Sequence, residues 1–455
     1  MMEYIGEYAN FGWDGLIGFI IPFLIVLSIL VFVHEWGHYI VARMCGVKVD
    51  VFSIGFGKEL FGRTDKSGTR WKFSLIPLGG YVQMFGDTDP SSANSKAEIL
   101  DEDNARPMTD EERKGAFFAK PVWQRAAIVF AGPAINFIFA IILLFGLYSF
   151  VGKPVNPPIA AAVIVGGAGD IAGIQPDDRV LTIDGKKIES FVDIQRQVAI
   201  SLDRPLDLTI QRDGQELDIT VTPERNSFED RFGFSQTRGM IGIMGVEKGI
   251  DAGSIKTLND RDVTSLSDTQ LQNRLSALVG QVSTIGLPKG EDEIQSVSVR
   301  IKKTVSDNNE LILSDNPQKE IVAYSPVQAF TGAIKETWFI VTGTMEALGQ
   351  IVTGARSPTE LGGIVRIGAI AGDAAQAGIV ALISFTALLS INLGLINLFP
   401  IPLLDGGHLV FYAYEAIFKK PMSEKVMDYA LKCGMVFLIG LMAFANLNDI
   451  VQIIL

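Results

Sequence analysis

Four long apolar segments limit the folds available to this chain of 455 residues. They occupy residues 16–33, 126–151, 378–399 and 427–445. The second and third contain no charged residue, and the fourth carries only Asp428 and Lys432, in its first turns. At about 1.5 Å of rise per residue, each segment is long enough as a helix for a hydrocarbon core of roughly 30 Å. The sequence therefore predicts a polytopic α-helical membrane protein with about four transmembrane helices.

The composition agrees with a chain that is partly membrane-embedded and partly soluble. Hydrophobic residues make up 48% of the chain, whereas 20% of the residues are charged. A soluble protein is rarely so apolar, and a bare helical bundle in lipid carries fewer charges. The net charge of −12 opposes binding to phosphates, so we expect no nucleic-acid partner. The two cysteines, Cys45 and Cys433, are far apart, and no disulfide framework is predicted.

The distribution of lysine and arginine predicts the orientation in the lipid bilayer. Residues 42–125 contain thirteen of these cations, and Lys419, Lys420 and Lys425 follow the third apolar segment, whereas residues 1–15 contain none. By the positive-inside rule both basic loops are cytoplasmic, and both termini are extracytoplasmic. The N-terminus also lacks the basic region of a cleaved signal peptide, so we expect a multi-pass protein of a bacterial inner membrane.

One stretch between the second and third spans resembles the signature of a PDZ domain. Residues 172–185 read Ala-Gly-Ile-Gln-Pro-Asp-Asp-Arg-Val-Leu-Thr-Ile-Asp-Gly, in which a glycine turn and an acidic residue lead into a strand that ends at Asp-Gly. Asp177 stands where that family usually has glycine. The alternative is an unrelated small β domain. Residues 247–321 are either a degenerate second module or an insertion, and the sequence assigns them no role.

Two further segments are predicted to lie at the membrane. Alternating apolar residues from Val47 to Met84, interrupted by a turn-rich stretch, predict a β-hairpin or small sheet. Its place is left open between the membrane surface and a loop that dips between helices. Residues 326–356 predict an amphipathic helix at the outer interface.

The predicted organisation assigns each part of the chain to a segment of stated type. In chain order the segments are 1–46, the first transmembrane helix; 47–86, a membrane-associated β-hairpin loop; 87–124, a cytoplasmic linker; 125–151, the second transmembrane helix; 157–225, an extracytoplasmic PDZ-like β domain; 226–325, an extracytoplasmic insertion; 326–356, the interfacial helix; 378–408, the third transmembrane helix; and 427–447, the fourth.

All three histidines of the chain lie in two short motifs. His34-Glu35-Trp36-Gly37-His38 ends the first apolar segment, and His408 ends the sequence Leu404-Asp405-Gly406-Gly407-His408. Residues four apart share one face of a helix, so His34 and His38 can reach the same ion. Glu35 could take a proton from a water that the metal activates. The alternative is two polar side chains satisfied by neighbouring helices, which is disfavoured because ionisable groups inside membranes are costly.

A catalytic zinc site needs a third protein ligand and an open position. Asp405 is our candidate because it follows a helix broken by Pro400 and Pro402, so that its carboxylate can face a polar cavity. It also lies on the same predicted cytoplasmic side as the first motif. His408 is an alternative ligand. We predict one zinc ion per chain.

These motifs together resemble the site-2 protease family of intramembrane zinc metalloproteases, and most of all its bacterial branch, typified by the regulator of sigma-E protease. The resemblance covers most of the chain. It rests on the histidine motif and on four further elements: Gly55-Phe56-Gly57, residues 76–82, Gly132-Pro133-Ala134-Ile135-Asn136, and residues 392–406, which run from Asn392 through Pro400 and Pro402 to Gly406.

The resemblance implies a role for each motif. Zinc is bound by His34, His38 and Asp405, and Glu35 is the general base. Asn397 binds the substrate backbone or steadies the oxyanion, and the β-loop holds the substrate as an added strand. The implied substrate-binding residues are Asn397, Asn136, Gly79, Gly80 and Tyr81.

The predicted function is proteolysis within the membrane. Substrates would be single-span membrane proteins such as anti-sigma factors or remnant signal peptides, trimmed beforehand by an upstream site-1 protease and filtered by the PDZ-like domain. Two departures from the family pattern concern substrate filtering: Ile364 stands where proline is common, and one PDZ unit is recognisable where relatives often have two. A non-enzymatic PDZ adaptor with a structural zinc site and a metal transporter are the alternative functions.

Overall fold

The computed structural model describes residues 13–86, 98–101, 104–230, 232–246, 250–289, 293–302, 310–311 and 320–454. Its α-helices are α1 Trp13–Met44, α2 Asp110–Gly115, α3 Val122–Phe150, α4 Ala168–Ile171, α5 Phe191–Ile200, α6 Asp268–Ala277, α7 Pro326–Val352, α8 Ile364–Gln376, α9 Ile379–Asn397, α10 Asp405–Phe418 and α11 Glu424–Ile454.

The strands are β1 Val49–Thr64, β2 Arg70–Met84, β3 Glu98–Asp101, β4 Asn104–Pro107, β5 Lys153–Val155, β6 Ala162–Ile164, β7 Arg179–Ile183, β8 Lys186–Lys187, β9 Leu206–Arg212, β10 Gln215–Val221, β11 Glu224–Glu229, β12 Ser235–Met240, β13 Ile243–Met244, β14 Ile250–Asp251, β15 Thr257–Leu258, β16 Arg261–Asp262, β17 Val282–Lys289, β18 Glu293–Arg300, β19 Glu310–Leu311 and β20 Glu320–Val322.

The described residues form two compact units. The helical unit contains those up to Phe150, then Ser325–Met345, and those from Leu361 onward; the β-rich unit contains Val151–Tyr324 and Glu346–Glu360. In the helical unit, α3 packs against both α1 and α9. Each of these two helices makes its most extensive contact with α3. This arrangement places the first histidine motif, on α1, beside the middle of α3.

Among the described residues, four helices are long and apolar enough to cross a membrane: Gly18–Met44 within α1, α3, α9, and Glu424–Ile453 within α11. These are the four apolar segments predicted from the sequence. The amphipathic helix predicted at residues 326–356 forms as α7, with Ala333 buried and Trp338 exposed. Its location at the outer interface stays a prediction.

The β-loop between α1 and α3 is a hairpin that folds back on itself. Residues 51–54 of β1 pair with residues 70–73 of β2 on one side and with residues 80–83 of the same strand on the other. Residues 59–64 pair with residues 70–74 and form the outer edge. Four paired segments result, in the order 59–64, 70–74, 51–54 and 80–83, where the sequence had predicted a hairpin or a small sheet. The segment from Gly80 onward is the other edge, and it lies against α1.

The linker predicted over residues 87–124 is described in part. Residues 87–97 and 102–103 lie outside the described residues. Strands β3 and β4 pair antiparallel, and α2 begins with a capping box in which Thr109 and Glu112 satisfy each other's backbone N–H groups.

The β-rich unit contains the same module twice. The first sheet has the order β10-β9-β7-β8, and the order β18-β17-β15-β16 recurs within the six-stranded sheet. A helix capped by a serine, Ser190 before α5 and Ser267 before α6, stands at the same point of each. The residues left without a role by the sequence therefore contain a second copy of the first module. The PDZ identity of either copy stays a prediction.

Buried positions on the helix and on the strand that follows it correspond between the two modules. From the capping serine onward, residues of the first module match those 77 positions later in the second, as for Ser190 and Ser267, whereas the turn before it is offset by 75 positions. Ile194 and Leu208 are buried in the first core, as are their counterparts Leu271 and Ile285 in the second. The first core also includes Ile241, which lies beyond the predicted end at residue 225.

Turn chemistry explains why the second module was hard to recognise. The first module turns at Asp184-Gly185, and the second turns at Asn259-Asp260 without glycine. All four residues have positive φ, which Asn and Asp tolerate better than other non-glycine residues. Asp177, the departure noted above, also has a φ of 79°. The backbone geometry is thus kept although the expected glycines are missing.

The repeat predicts that Leu275 is a core residue of its own module. Its side chain is fully buried on α6. Leu275→Ala should lower the free energy of unfolding of this module by about 2–5 kcal/mol, because it removes buried methyl groups and leaves a cavity. Hydrogen exchange of residues 250–300 in the full-length protein measures the loss. Gln272→Ala, on the exposed side of the same helix, is the control, and equal exchange rates in both variants would contradict the assignment.

Candidate metal and catalytic site

The histidine motif presents both rings on one side of α1. The spacing of four residues brings His34 Nε2 to 3.3 Å from His38 Nε2, with the two rings nearly perpendicular. His38 is buried, and its Nδ1 donates to the backbone carbonyl of Ile128 on α3 at 2.9 Å. Because a carbonyl can only accept, the proton of His38 lies on Nδ1, which leaves the Nε2 lone pair free to bind a metal.

Asp405 reaches the histidines because the chain reverses between α9 and α10. Pro400 and Pro402 cannot donate backbone hydrogen bonds, so α9 ends and seven residues separate it from α10. Gly406 and Gly407 then let the turn close tightly, since a Cβ at Gly407 would lie 2.5 Å from the carbonyl oxygen of Ile401. The turn places Asp405 at the first position of α10, facing α1.

His34, His38 and Asp405 form a candidate metal site. Asp405 Oδ2 lies 3.2 Å from His34 Nε2, and Oδ1 lies 3.6 Å from His38 Nε2. The three ligand atoms all lie within 4.8 Å of one another, and no other such group occurs among the described residues.

The donor set fits zinc. Two imidazole nitrogens and one carboxylate oxygen are the ligands of catalytic zinc sites that keep a position open. Asp405 Oδ2 is buried and has no hydrogen-bond partner of suitable geometry, which is costly unless a cation satisfies it. We conclude that these three residues would hold the ion.

A cavity of about 470 Å³ opens next to this site. Glu35 lines it together with the three candidate ligands, and so do Asn397, Gly80 and Tyr81. The Glu35 side chain lies within hydrogen-bonding reach of the Val82 backbone N–H, on the edge segment of β2. A carboxylate, a metal site and a strand edge therefore meet in one cavity.

Gly80 lets the strand edge approach the motif. A Cβ at this position would lie 2.7 Å from Val31 Cγ1 and 3.1 Å from Glu35 Cγ. Any other residue would push the β-loop away from α1. Gly79, the neighbouring predicted substrate residue, instead lies under the ring of Phe56, which stacks on Tyr81.

The two predicted asparagines lie on opposite sides of His34. Asn397, at the end of α9, places Nδ2 3.4 Å from His34 Nε2 and lines the cavity. Asn136, on α3, is fully buried, and its Nδ2 lies 3.1 Å from His34 Nδ1. Asn397 is thus open to a substrate, whereas Asn136 lies behind the ring.

His408, the alternative ligand, lines the cavity but does not belong to the converging group of three. It lies one turn after Asp405 on α10.

Sequence reasoning missed an ion pair in the same cavity. Arg125 at the start of α3 donates to Glu415 of α10 at 2.6 Å, and its guanidinium lies 5.1 Å from the centre of the Tyr412 ring. Both charged side chains are largely buried, and both residues line the cavity. They are 290 residues apart, so no local pattern could have indicated the pair.

Comparison with known proteins decides the family. The model of the family described as Peptidase family M50 matches residues 22–441, which is most of the chain and includes every residue of the site. The chain belongs to peptidase family M50. Its resemblance to the site-2 protease type, inferred from the motifs, is confirmed.

Relatives of this M50 peptidase align over nearly their whole length. A protein named Putative zinc metalloprotease in Agrobacterium fabrum is 38% identical over 439 residues, covering 96% of this chain and 97% of the relative. A protein of the same description in Rickettsia conorii is 33% identical, and the alignment covers 95% of this chain and 98% of the relative. The Regulator of sigma E protease of Haemophilus influenzae is 30% identical over 466 aligned positions, and the alignment covers 95% of this chain and 98% of the relative. The chain is thus an M50 peptidase of the zinc metalloprotease type.

Gly132 is expected to be required for metal binding. A Cβ at this position would overlap the His38 ring and lie 2.9 Å from His34 Cε1, so Gly132→Ala must displace at least one ligand. Zinc affinity should fall by about tenfold or more, as it does when ligand orientation is disturbed. The measurement is competition with a chelator in detergent.

Gly146→Ala is the matched control for Gly132→Ala. It adds the same atom to the same helix, at a position with no atom within 4 Å of the new Cβ. We expect wild-type zinc affinity for this variant. An unchanged affinity in both variants would show that α3 does not press on the ligands as the structure has it.

Proposed function

We propose that this M50 peptidase is an intramembrane zinc endopeptidase that cuts single-span membrane proteins within their transmembrane segments, near the cytoplasmic end. One observation carries the proposal. Candidate ligands, the carboxylate of Glu35 and a strand edge meet in one cavity, and the histidine motif lies on a helix that is long and apolar enough to cross a membrane.

The residues of the cavity divide the chemistry among themselves. His34, His38 and Asp405 would hold zinc, which when bound polarises the scissile carbonyl and lowers the pKa of water. Glu35 accepts the proton of the attacking water and returns it to the leaving nitrogen, since its carboxylate lines the cavity directly after the first ligand and, unlike that of Glu415, is not engaged by Arg125. Asn397 donates from its amide to the substrate backbone or to the developing oxyanion.

The substrate binds as an added strand. A transmembrane helix hides its peptide bonds in internal hydrogen bonds, so the scissile segment must be extended before it is cut. The edge of β2 from Gly80 onward offers backbone groups to such a segment and lies beside Glu35. Gly79, Gly80 and Tyr81 would therefore set the register of the substrate.

The site, the spans and the basic loops together suggest the cellular role. With both basic loops cytoplasmic, the histidine motif lies toward the cytoplasmic end of α1 and both termini and the β-rich unit lie outside. The β-rich unit, as a pair of PDZ-like modules, would admit substrates that an upstream site-1 protease has already shortened. Anti-sigma factors and remnant signal peptides in a bacterial inner membrane are the proposed substrates, which the name of the Haemophilus influenzae relative supports.

The adaptor alternative accounts less well for the site. A structural zinc site is closed by four protein ligands, whereas three converge here beside an open cavity. A purely structural role would also leave the position of Glu35 without a purpose. The adaptor stays the result to be expected if zinc is bound and no peptide is ever cut.

Glu35→Gln tests catalysis directly. The amide keeps the size of the side chain but cannot accept the proton, so cleavage should fall by about 10²–10⁴-fold while zinc binding is kept. The assay uses full-length protein in membranes and a tagged single-span substrate without its outer domain, with the product read on a gel. Undiminished cleavage by this variant, at wild-type protein levels, would disprove the enzymatic role of Glu35.

The third ligand is tested by a pair of variants on one helix. Asp405→Ala removes a carboxylate from the converging group, so zinc content should fall from one per chain to well below it. His408→Ala removes an imidazole that lines the same cavity outside the group of three and should leave zinc content unchanged. Metal analysis of the purified variants measures both. The opposite result would make His408 the third ligand.

A further inference from the structure

We propose that Asn136 is a positioning residue that holds His34 in its metal-binding tautomer, by accepting a hydrogen bond from the Nδ1–H of that ring. The inference rests on the zinc site of the proposed function. It assigns Asn136 a place behind a ligand, where the family resemblance had suggested a contact with substrate.

The first support is the way α3 faces the two histidines. Ile128, Gly132 and Asn136 are spaced by four residues, so they form one stripe along this helix. The Ile128 carbonyl accepts from His38 Nδ1, Gly132 leaves room for both rings, and the Asn136 amide reaches His34 Nδ1. One helix face thus contacts the rear nitrogen of each histidine.

The second support is the cost of burying Asn136. The side chain is fully buried in a helix of apolar residues, and its one hydrogen-bonding partner among the described residues is His34. An amide placed there loses its hydration for a single contact. The neighbouring Ser390 donates to the Asn136 backbone carbonyl and does not satisfy the amide. The contact with His34 therefore explains why an asparagine is buried at this position.

The third support is tautomer logic. If the amide nitrogen faced the ring, His34 Nδ1 would accept and the proton would lie on Nε2, which could then not bind a metal. Rotating the amide by 180° places Oδ1, which otherwise has no partner, against Nδ1–H and frees the Nε2 lone pair. The amide oxygen then does for His34 what the Ile128 carbonyl does for His38.

Two substitutions separate this role from simple packing. Asn136→Leu keeps the size and removes the acceptor, so the zinc dissociation constant should rise by about 10–100-fold. Asn136→Asp keeps an acceptor and should bind zinc with an affinity close to that of the wild type. Ser390→Ala is the control, because it breaks a hydrogen bond to the same residue without touching the ring.

The measurements are made on the full-length protein in detergent. Chelator competition gives the zinc affinity, and the absorption spectrum of the cobalt-loaded protein reports ligand geometry. We expect an altered cobalt spectrum for Asn136→Leu and wild-type spectra for Asn136→Asp and Ser390→Ala. Wild-type affinity in Asn136→Leu, or equal losses in the Leu and Asp variants, would overturn the inference.

A measurement on the wild type tests the tautomer that the proposal requires, even if both substitutions prevent folding. The chain has only three histidines, so ¹⁵N labelling of histidine gives a simple spectrum. His34 in the zinc-loaded protein should carry its proton on Nδ1, and a proton on Nε2 would disprove the proposal. Wild type that binds no zinc would instead refute the proposed function, whereas zinc-loaded wild type with an unaffected Leu variant refutes only the role of Asn136.

Discussion

Two imidazoles and a carboxylate must be held together inside an apolar bundle, and the rest of the helical unit is arranged around that demand. Bare polar groups are expensive in a low dielectric, so each needs a partner that is fixed in advance. His38 and His34 obtain theirs from α3, and Asp405 obtains its place from the turn after α9. These fixed contacts hold the three ligand side chains where their ligand atoms converge.

Helix α3 is the element that makes this possible. It is packed against α1 by a small residue, Gly132, and against α9 by Ser390, which donates to one of its carbonyls. Close approach of the helix backbones is the usual result of small residues in membrane bundles, where there is no hydrophobic driving force between helices. Here the same closeness brings backbone and amide acceptors within reach of the ligand rings.

Much of this could be predicted because it depends on local sequence. Uninterrupted apolar length predicts a span, and His34 and His38 share a helix face by spacing alone. The break at Pro400 and Pro402 indicated how Asp405 could reach them. These inferences need no knowledge of which helices are neighbours.

The parts that could not be predicted depend on long-range pairing. The alternation of β1 and β2 indicates strands but not that residues 51–54 pair on both sides. The second β module escaped recognition because Asn259-Asp260 replaces the glycine turn. The Arg125–Glu415 pair and the position of Asn136 behind His34 arise only when α3 meets its neighbours.

The strand edge beside the ligands answers an energetic problem that the ligands alone do not solve. An extended segment in an apolar bundle exposes backbone N–H and C=O groups, and each unsatisfied group costs several kcal/mol. An added strand pairs about half of these groups, because alternate residues point toward its neighbour. The edge at Gly80 lies against α1 within contact of Glu35, so the peptide is stabilised at the place where it is cut. A metal site without that edge would face only closed helices, and an edge elsewhere would stabilise a segment that the carboxylate cannot reach.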